Sequence, residues 1–213
     1  MLVDSGPMAG ATAPVTLAST LVTGNAEHLA SFVLAKSVNP NAPVVYMSFA
    51  RIFDMKSSTV AQGGPEYGML RTGASQMASF YAIPSAGREI LTDSKLLDVQ
   101  LGMEKMGTAL LSALGGTNMV MAMGLIGSLN AISLEALMMD HEVINYIKRV
   151  LKEIQVDNDT IKLSVFKEAG IGGEFISSDF TAEYFRKELW IPDLLNRGNE
   201  ELGTDFEKES FKV

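Results

Sequence analysis

Apolar runs and turn signals recur at fairly even spacing along the chain, as repeated strand-helix units would place them. Four units can be traced. The first joins a strand at about Leu2 to Ser5 to a helix at about Pro14 to Val38. The break Asn39-Pro40-Asn41-Ala42-Pro43 leads to a second strand, Val44 to Ser48, and a helix from about Pro65 to Tyr81. Ile83-Pro84 ends that helix. A short strand around Ser85 to Leu91 then precedes a third helix from Lys95 or Leu96 to Leu114, whose stripe Val99, Met103, Met106, Leu110, Leu114 has helical period. The fourth unit has a strand at Met119 to Met123 and a helix near Ser133 to Ile154, with the stripe Leu137, His141, Ile144, Ile147, Leu151, Ile154.

Strands that are each followed by a helix imply a parallel α/β sheet, because the helix is the crossover. Four such units are half of a TIM-type (β/α)8 barrel, here the C-terminal half. An open doubly wound sheet is the rival, but its dinucleotide turn wants Gly-x-Gly-x-x-Gly, and Gly6 and Gly10 lack that spacing. The units occupy residues 1–155. A mostly helical extension, 156–198, follows with a Gly-Ile-Gly-Gly turn, and the acidic end 199–213 is expected to be frayed. Because the chain opens directly on a core-strand pattern, further strands of the same domain are expected from a missing N-terminal half or from a second copy.

Charge and composition then exclude several functions. A formal charge of −8 leaves no basic stripe, so no nucleic acid and no anionic membrane surface is expected as a partner. With no cysteine there is no disulfide, thiolate zinc site or cysteine nucleophile, and two histidines do not make a metal site, so none is expected. Met1 is followed by Asp4 and lacks a basic leader, which predicts a cytoplasmic location. From Met106 to Leu134 no residue is charged, a span long enough for a membrane. Gly115-Gly116-Thr117-Asn118 in its middle, with Gly124 and Gly127 beyond, instead predicts a helix end, a turn and a buried strand.

In a parallel barrel the reacting groups sit on the loops after the strands. That rule selects Ser5 to Thr12, Ser48 to Lys56, Arg88 to Lys95 and Gly124 to Asn130. The richest is Thr92-Asp93-Ser94-Lys95, in which Asp93 and Lys95 are placed to orient a charged ligand; Asp93 or Ser94 can equally cap the third helix. Glu104 is either half of a partly buried pair with Gln100 or a solvated edge. Tyr46, Phe49 and Phe53 are candidates for a face of rings that holds a quaternary ammonium, which makes no hydrogen bonds, with core packing as the alternative. Arg51, Arg88 and Lys56 share that face and suit a substrate carboxylate. His28 is expected at a helix surface or interface, and His141 in the core or at an interface.

Three separated motifs bring a family to mind. Gly6-Pro7-Met8-Ala9-Gly10-Ala11-Thr12-Ala13-Pro14-Val15-Thr16-Leu17-Ala18, then Leu91-Thr92-Asp93-Ser94-Lys95 with Asp98-Val99-Gln100-Leu101-Gly102 and Glu104-Lys105, and finally Phe185-Arg186-Lys187-Glu188-Leu189-Trp190-Ile191-Pro192 resemble the trimethylamine methyltransferase family. The resemblance implies a barrel enzyme that passes a methyl group from a methylated amine to the cobalt of a corrinoid (cobalamin) carried by a separate corrinoid protein. Members acting on trimethylamine carry pyrrolysine, and others take glycine betaine or related quaternary amines; no pyrrolysine is present here. Asp93, Ser94 and Lys95 become the expected catalytic residues, and Phe49, Phe53, Tyr46, Arg51 and Arg88 the substrate-binding ones. Two positions depart from the family's pattern: Arg88-Glu89-Ile90 where glycines are expected, and Glu174 where a histidine is. The alternative to an enzyme is an inactive half-barrel module that needs self-association, as a homo-oligomer, or a separate N-terminal half.

Overall fold

The structure is a computed structural model, and it describes residues 1–198; the acidic end at 199–213 lies outside the described residues. The chain divides into two compact units, Met1–Ile147 and the residues from Lys148 onward.

The first unit is built on four parallel strands, β1 (Leu2–Ser5), β3 (Val45–Ser48), β6 (Ser85–Gly87) and β7 (Met119–Val120), in the order β1-β3-β6-β7. Spatial order follows chain order without reversal, whereas a doubly wound sheet needs a reversal to open its ligand crevice. The side chains of β1 alternate, with Val3 and Ser5 buried and Asp4 exposed between them. Val3 and its register partner Tyr46 pack against Phe32 of α1 (Leu17–Val38) and Ala74 and Ala78 of α2 (Pro65–Phe80), so α1 and α2 cover one face of the sheet. Asp4 is on the other face.

Two features were not legible as strands. Arg51–Asp54 (β4) and Thr59–Ala61 (β5) form an antiparallel hairpin, and Met8–Ala9 (β2) adds to β4 as a parallel partner. Asp54 closes the hairpin turn by accepting from Lys56 N (3.0 Å) and Ser57 Oγ (2.5 Å). A two-stranded ribbon, β8 (Leu125–Ile126) with β9 (Ala131–Ile132), projects the 127–130 turn.

Helix α3 (Val99–Leu114) begins later than the periodicity predicts. Asp98 is its cap, accepting from Leu101 N at 2.9 Å, so neither Asp93 nor Ser94 caps it directly; Ser94 Oγ donates to the cap carboxylate at 2.9 Å. Its fully buried residues are Leu101, Lys105, Thr108, Ala109 and Ser112; of the expected stripe, Met106 and Leu110 pack on the second core while Val99, Met103 and Leu114 are exposed. Small residues decide this, because α2 approaches closely: a Cβ on Gly68 would sit 2.7 Å from Leu111, and Thr72 Oγ1 donates to Leu111 O at 2.8 Å. Helix α4 (Leu134–Leu151) likewise buries Ala136, Asp140 and Ile147 and leaves His141 exposed, bonded to Asn145 Nδ2 at 3.0 Å. The second core joins Ile90, Ala109 and Ile147.

In the second unit α5 (Leu163–Ala169) and α6 (Asp179–Glu188) bury no residue. Arg149 ties α6 to the end of α4 by donating from Nε to Glu188 O at 2.9 Å. Among the described residues no helix is long and apolar enough to cross a membrane.

Candidate functional site

At the C-terminal ends of the parallel strands, on the face opposite α1 and α2, Arg88 leaves β6 and reaches past β3 to Asp4 of β1. Arg88 Nη1 donates to Asp4 Oδ2 at 3.0 Å. The same guanidinium lies over the ring of Phe49, 4.4 Å from its centroid, and Arg51 at the start of β4 lies over that ring at 4.6 Å. Two arginines and one aspartate thus gather on one aromatic side chain.

Beside them the loops close a cleft of about 690 Å³, lined among others by Asp54, Gln62, Asp93, Lys95, Ser128 and Asn130. Asp93 organises it. Its carboxylate accepts from Gln62 N (2.9 Å), Gly63 N (3.0 Å) and Ser128 Oγ (2.6 Å), joining the end of the hairpin to the 127–130 turn. Glu104 of α3 supports it from below, accepting from Thr92 Oγ1 (2.7 Å), Asp93 N (2.8 Å) and Gln100 Nε2 (2.8 Å), the paired alternative rather than the solvated one. A Cβ on Gly63 would collide with the Glu104 carboxylate and displace it from these bonds. Backbone bonds from Gly127 N to Ser94 O (2.7 Å) and Ser128 N to Thr92 O (2.9 Å) complete the frame. Inside it, Gln62 Oε1 is buried without a partner. Gln62 itself is 4% exposed.

Behind the sheet, α2 grips both segments that carry the arginines. Tyr67 Oη donates to Arg88 O at 2.6 Å, and Arg71, stacked on Tyr67, donates from Nη2 to Ala50 O at 2.5 Å. Glu89 is buried in the same layer, and its carboxyl is pushed up to about 7, chiefly by burial, with Arg71 and Arg88 pulling it back. The folded protein therefore keeps a proton that the unfolded chain loses near 4.5. Stability is fully present below that value and falls as pH rises toward 7, by about 3 kcal/mol in total. Urea unfolding of wild type and Glu89→Gln at pH 5 and pH 8 checks this: the variant is expected to lose the decline, and parallel curves would contradict it.

The structure separates the expected site residues into two groups. Asp93 and Lys95 line the cleft, and Arg51 and Arg88 meet at the ring of Phe49. Tyr46 does not: it lies on the helix-facing side, stacked on His28 with centroids 3.7 Å apart, and burial raises its hydroxyl to about 12. Ser94 is buried, and its hydroxyl is spent on Leu96 O (3.1 Å) and Asp98 Oδ1 (2.9 Å), which makes it a loop brace. Phe49 has its ring engaged by two guanidiniums already, and Phe53 is half-buried in the hairpin opposite Val60. His28 is fully buried rather than at a surface, its ring nitrogens facing Gly24 O (2.7 Å) and Met47 O (2.9 Å). Sequence reasoning missed Gln62, Tyr67 and Arg71. The signal for the last two was available, since an aromatic and an arginine four apart on one helix face meet by cation–π contact.

Comparison with known proteins is specific. The family model for trimethylamine methyltransferase matches residues 1–205. A glycine betaine methyltransferase of Desulfitobacterium hafniense (strain Y51) is 35% identical over 92% of this chain and 41% of its own length. Trimethylamine methyltransferases of Desulfitobacterium hafniense (strain DSM 10664 / DCB-2) and Methanosarcina thermophila are 37% and 36% identical, over 85% and 80% of this chain and 36% and 35% of theirs. The chain belongs to the trimethylamine methyltransferase family, and it spans about two-fifths of the length of these curated relatives.

Proposed function

We propose that this chain is part of a methyltransferase that moves a methyl group from a methylated amine, preferably a quaternary one, to a corrinoid presented by a separate protein. The family match over residues 1–205 carries this reading. The unreversed order β1-β3-β6-β7 supports the accompanying architecture, the C-terminal half of a (β/α)8 barrel whose remaining strands lie outside this chain.

The chemistry asks little of acid–base groups. The C–N bond breaks with its electron pair left on nitrogen as a neutral amine, and the methyl carbon takes a new electron pair from its acceptor. A corrinoid brought by a partner would supply that electron pair as the methyl acceptor. What the chain supplies is position. Asp93 and Lys95 shape the cleft and set its charge, and Arg51 and Arg88 fix the substrate end remote from the methyl, so that the methyl points outward in line with the acceptor. Neither histidine lies at the loop ends, His28 being in the core and His141 on the outside of α4, and the chain has no cysteine. The described residues thus fit a corrinoid brought by a partner better than one anchored here by an imidazole or thiolate.

The test is methyl transfer by the chain in its complete reading frame, with glycine betaine or trimethylamine as donor and cob(I)alamin or a corrinoid protein as acceptor. Amine-dependent demethylation is the expected result, and absence of transfer from every methylated amine would overturn the proposal.

A further inference from the structure

We infer that Arg71 and Glu89 are positioning residues for the peptide that joins Ala50 to Arg51: Glu89 with its proton leaves the Arg71 guanidinium on Ala50 O, and Glu89 without it draws that guanidinium away. The consequence for turnover rests on the methyl-transfer reading; the geometry does not.

Three observations carry it. First, the pair is unfinished on both sides. Arg71 and Glu89 are buried, and Arg71 Nε, Arg71 Nη1 and Glu89 Oε2 have no hydrogen-bond partner. Arg71 makes no ion pair among the described residues, and its charge faces the Tyr67 ring at 4.8 Å.

Second, the two side chains share one gap. It is lined by Arg71, Glu89, Tyr46, Ser48, Ser75 and Ser85, and it is too tight for a water molecule. Other polar groups there are engaged: Tyr46 Oη donates to Asn25 Oδ1 (3.3 Å), Ser75 Oγ pairs with Thr117 Oγ1 (2.6 Å), and Ser85 Oγ donates to Asn118 Oδ1 (3.3 Å). The unmatched donors and the unmatched acceptor are therefore left to each other, and an ionised carboxylate buried without a partner is too costly to stay apart. Third, room for the acid is built in. A Cβ on Gly87 would collide with the Glu89 carboxylate. Arg88-Glu89-Ile90 is also the stretch that departs from the family's pattern, so the acid is a feature of this chain. It is enclosed by α2 and the strands described above, on the side of the sheet that they cover.

Arginine geometry gives the direction. A carboxylate takes a guanidinium by two parallel N–H bonds, and both forks, Nε with Nη2 and Nη1 with Nη2, include Nη2. Nη2 is the atom that donates to Ala50 O at 2.5 Å and to Ser48 Oγ at 3.4 Å. Ionised Glu89 thus competes with Ala50 O. The same peptide unit carries Arg51 N, which donates to Pro7 O at 3.0 Å. Glu89 is faced by Arg71 and Tyr67 of α2, Tyr46 of β3, Arg88 beside it in the chain, and the backbone N–H of Met121 beyond β7. Burial outweighs their pull and leaves the carboxyl at about 7, so the exchange of partners falls in the neutral range.

The experiment is hydrogen exchange at Arg51 N at pH 6 and pH 8, corrected for the intrinsic rate, on the chain in its complete reading frame. Tyr46 N, which donates to Pro84 O at 2.9 Å, serves as the reference for stability alone. In the wild type, protection at Arg51 is expected to fall several-fold more than at Tyr46 between the two pH values. In Glu89→Gln, which stays neutral, the two amides are expected to keep their ratio. The kcat/KM for methyl transfer from glycine betaine is expected to fall through the same range in the wild type and to lose that step in the variant. Protection at Arg51 and Tyr46 that changes in parallel in the wild type would overturn the inference, even with methyl transfer intact. An Arg51 change as expected, with no methyl transfer from any methylated amine, would overturn the methyl-transfer reading and leave the inference standing.

Discussion

Asp140→Ala is expected to lower the unfolding free energy by about 3–5 kcal/mol, the cost of leaving a buried charge without its partner. Lys105 Nζ and Asp140 Oδ2 are 2.7 Å apart, and both side chains are fully buried between α3 and α4. Burial pushes the Asp140 carboxyl up and the Lys105 ammonium down, and each is held charged by the other. Asp140 Oδ2 also accepts from Gly124 N at 2.6 Å, which anchors the start of the segment that reaches the cleft. Gly124 needs its positive φ there, and a Cβ would press on Ser133 O at 3.3 Å. Urea denaturation measures the effect. The double replacement Lys105→Met with Asp140→Leu is expected to recover most of the loss, because an apolar pair avoids the desolvation cost. A double variant as unstable as the single one would show that the Gly124 contact, not the ion pair, carries the energy.

Asp93→Ala is expected to open the cleft and to reduce methyl transfer by about a hundredfold or more, since small misplacements of substrate-positioning groups cost about that much. The carboxylate is the common acceptor for Gln62 N, Gly63 N and Ser128 Oγ, and alanine leaves two amides and a hydroxyl unmatched around a partly buried point. Hydrogen exchange at Gln62 and Gly63 is expected to quicken by the loss of those bonds. Asp93→Asn keeps the volume but turns one acceptor into a donor facing an amide, so it is expected to fall between wild type and alanine. Unchanged exchange at both amides in Asp93→Ala would remove the organising role assigned to this residue.

The four strand-helix units were legible because their apolar runs are bounded by Pro and Gly at each turn, and the observed ends differ from the expected ones by a few residues. The rotation of α3 was not legible. Val99, Met103 and Leu114 of the expected stripe face outward, Met106 and Leu110 pack on the second core, and Leu101, Lys105, Thr108, Ala109 and Ser112 are fully buried. Periodicity weights size and hydrophobicity, and a face chosen by close approach of a second helix is built mostly from small residues, here with Leu101 and one lysine. The hairpin of β4 and β5 is hidden because Ser48 to Lys56 reads as the loop after the second strand. A β-branched and aromatic run on each side of Asp54 to Ser58 was the available signal.

The site was legible in its chemistry more than in its assignments. The loops after the strands carry Asp93 and Lys95 to the cleft and Arg51 and Arg88 to the ring of Phe49. Tyr46 failed because a strand residue's side depends on register, and its partner Val3 faces α1 and α2. His28 failed because α1 is apolar around nearly its whole circumference, so nothing in the sequence marked which side meets the sheet.

The most direct test of the central claim is spectrophotometric: the chain in its complete reading frame is mixed with glycine betaine and cob(I)alamin or a corrinoid protein, and methylcobalamin is followed over time. The account predicts methylcobalamin formation that requires the amine, releases the demethylated amine in equal amount and falls sharply in Asp93→Ala. Cobalamin left unmethylated with glycine betaine, and with trimethylamine in its place, would contradict it.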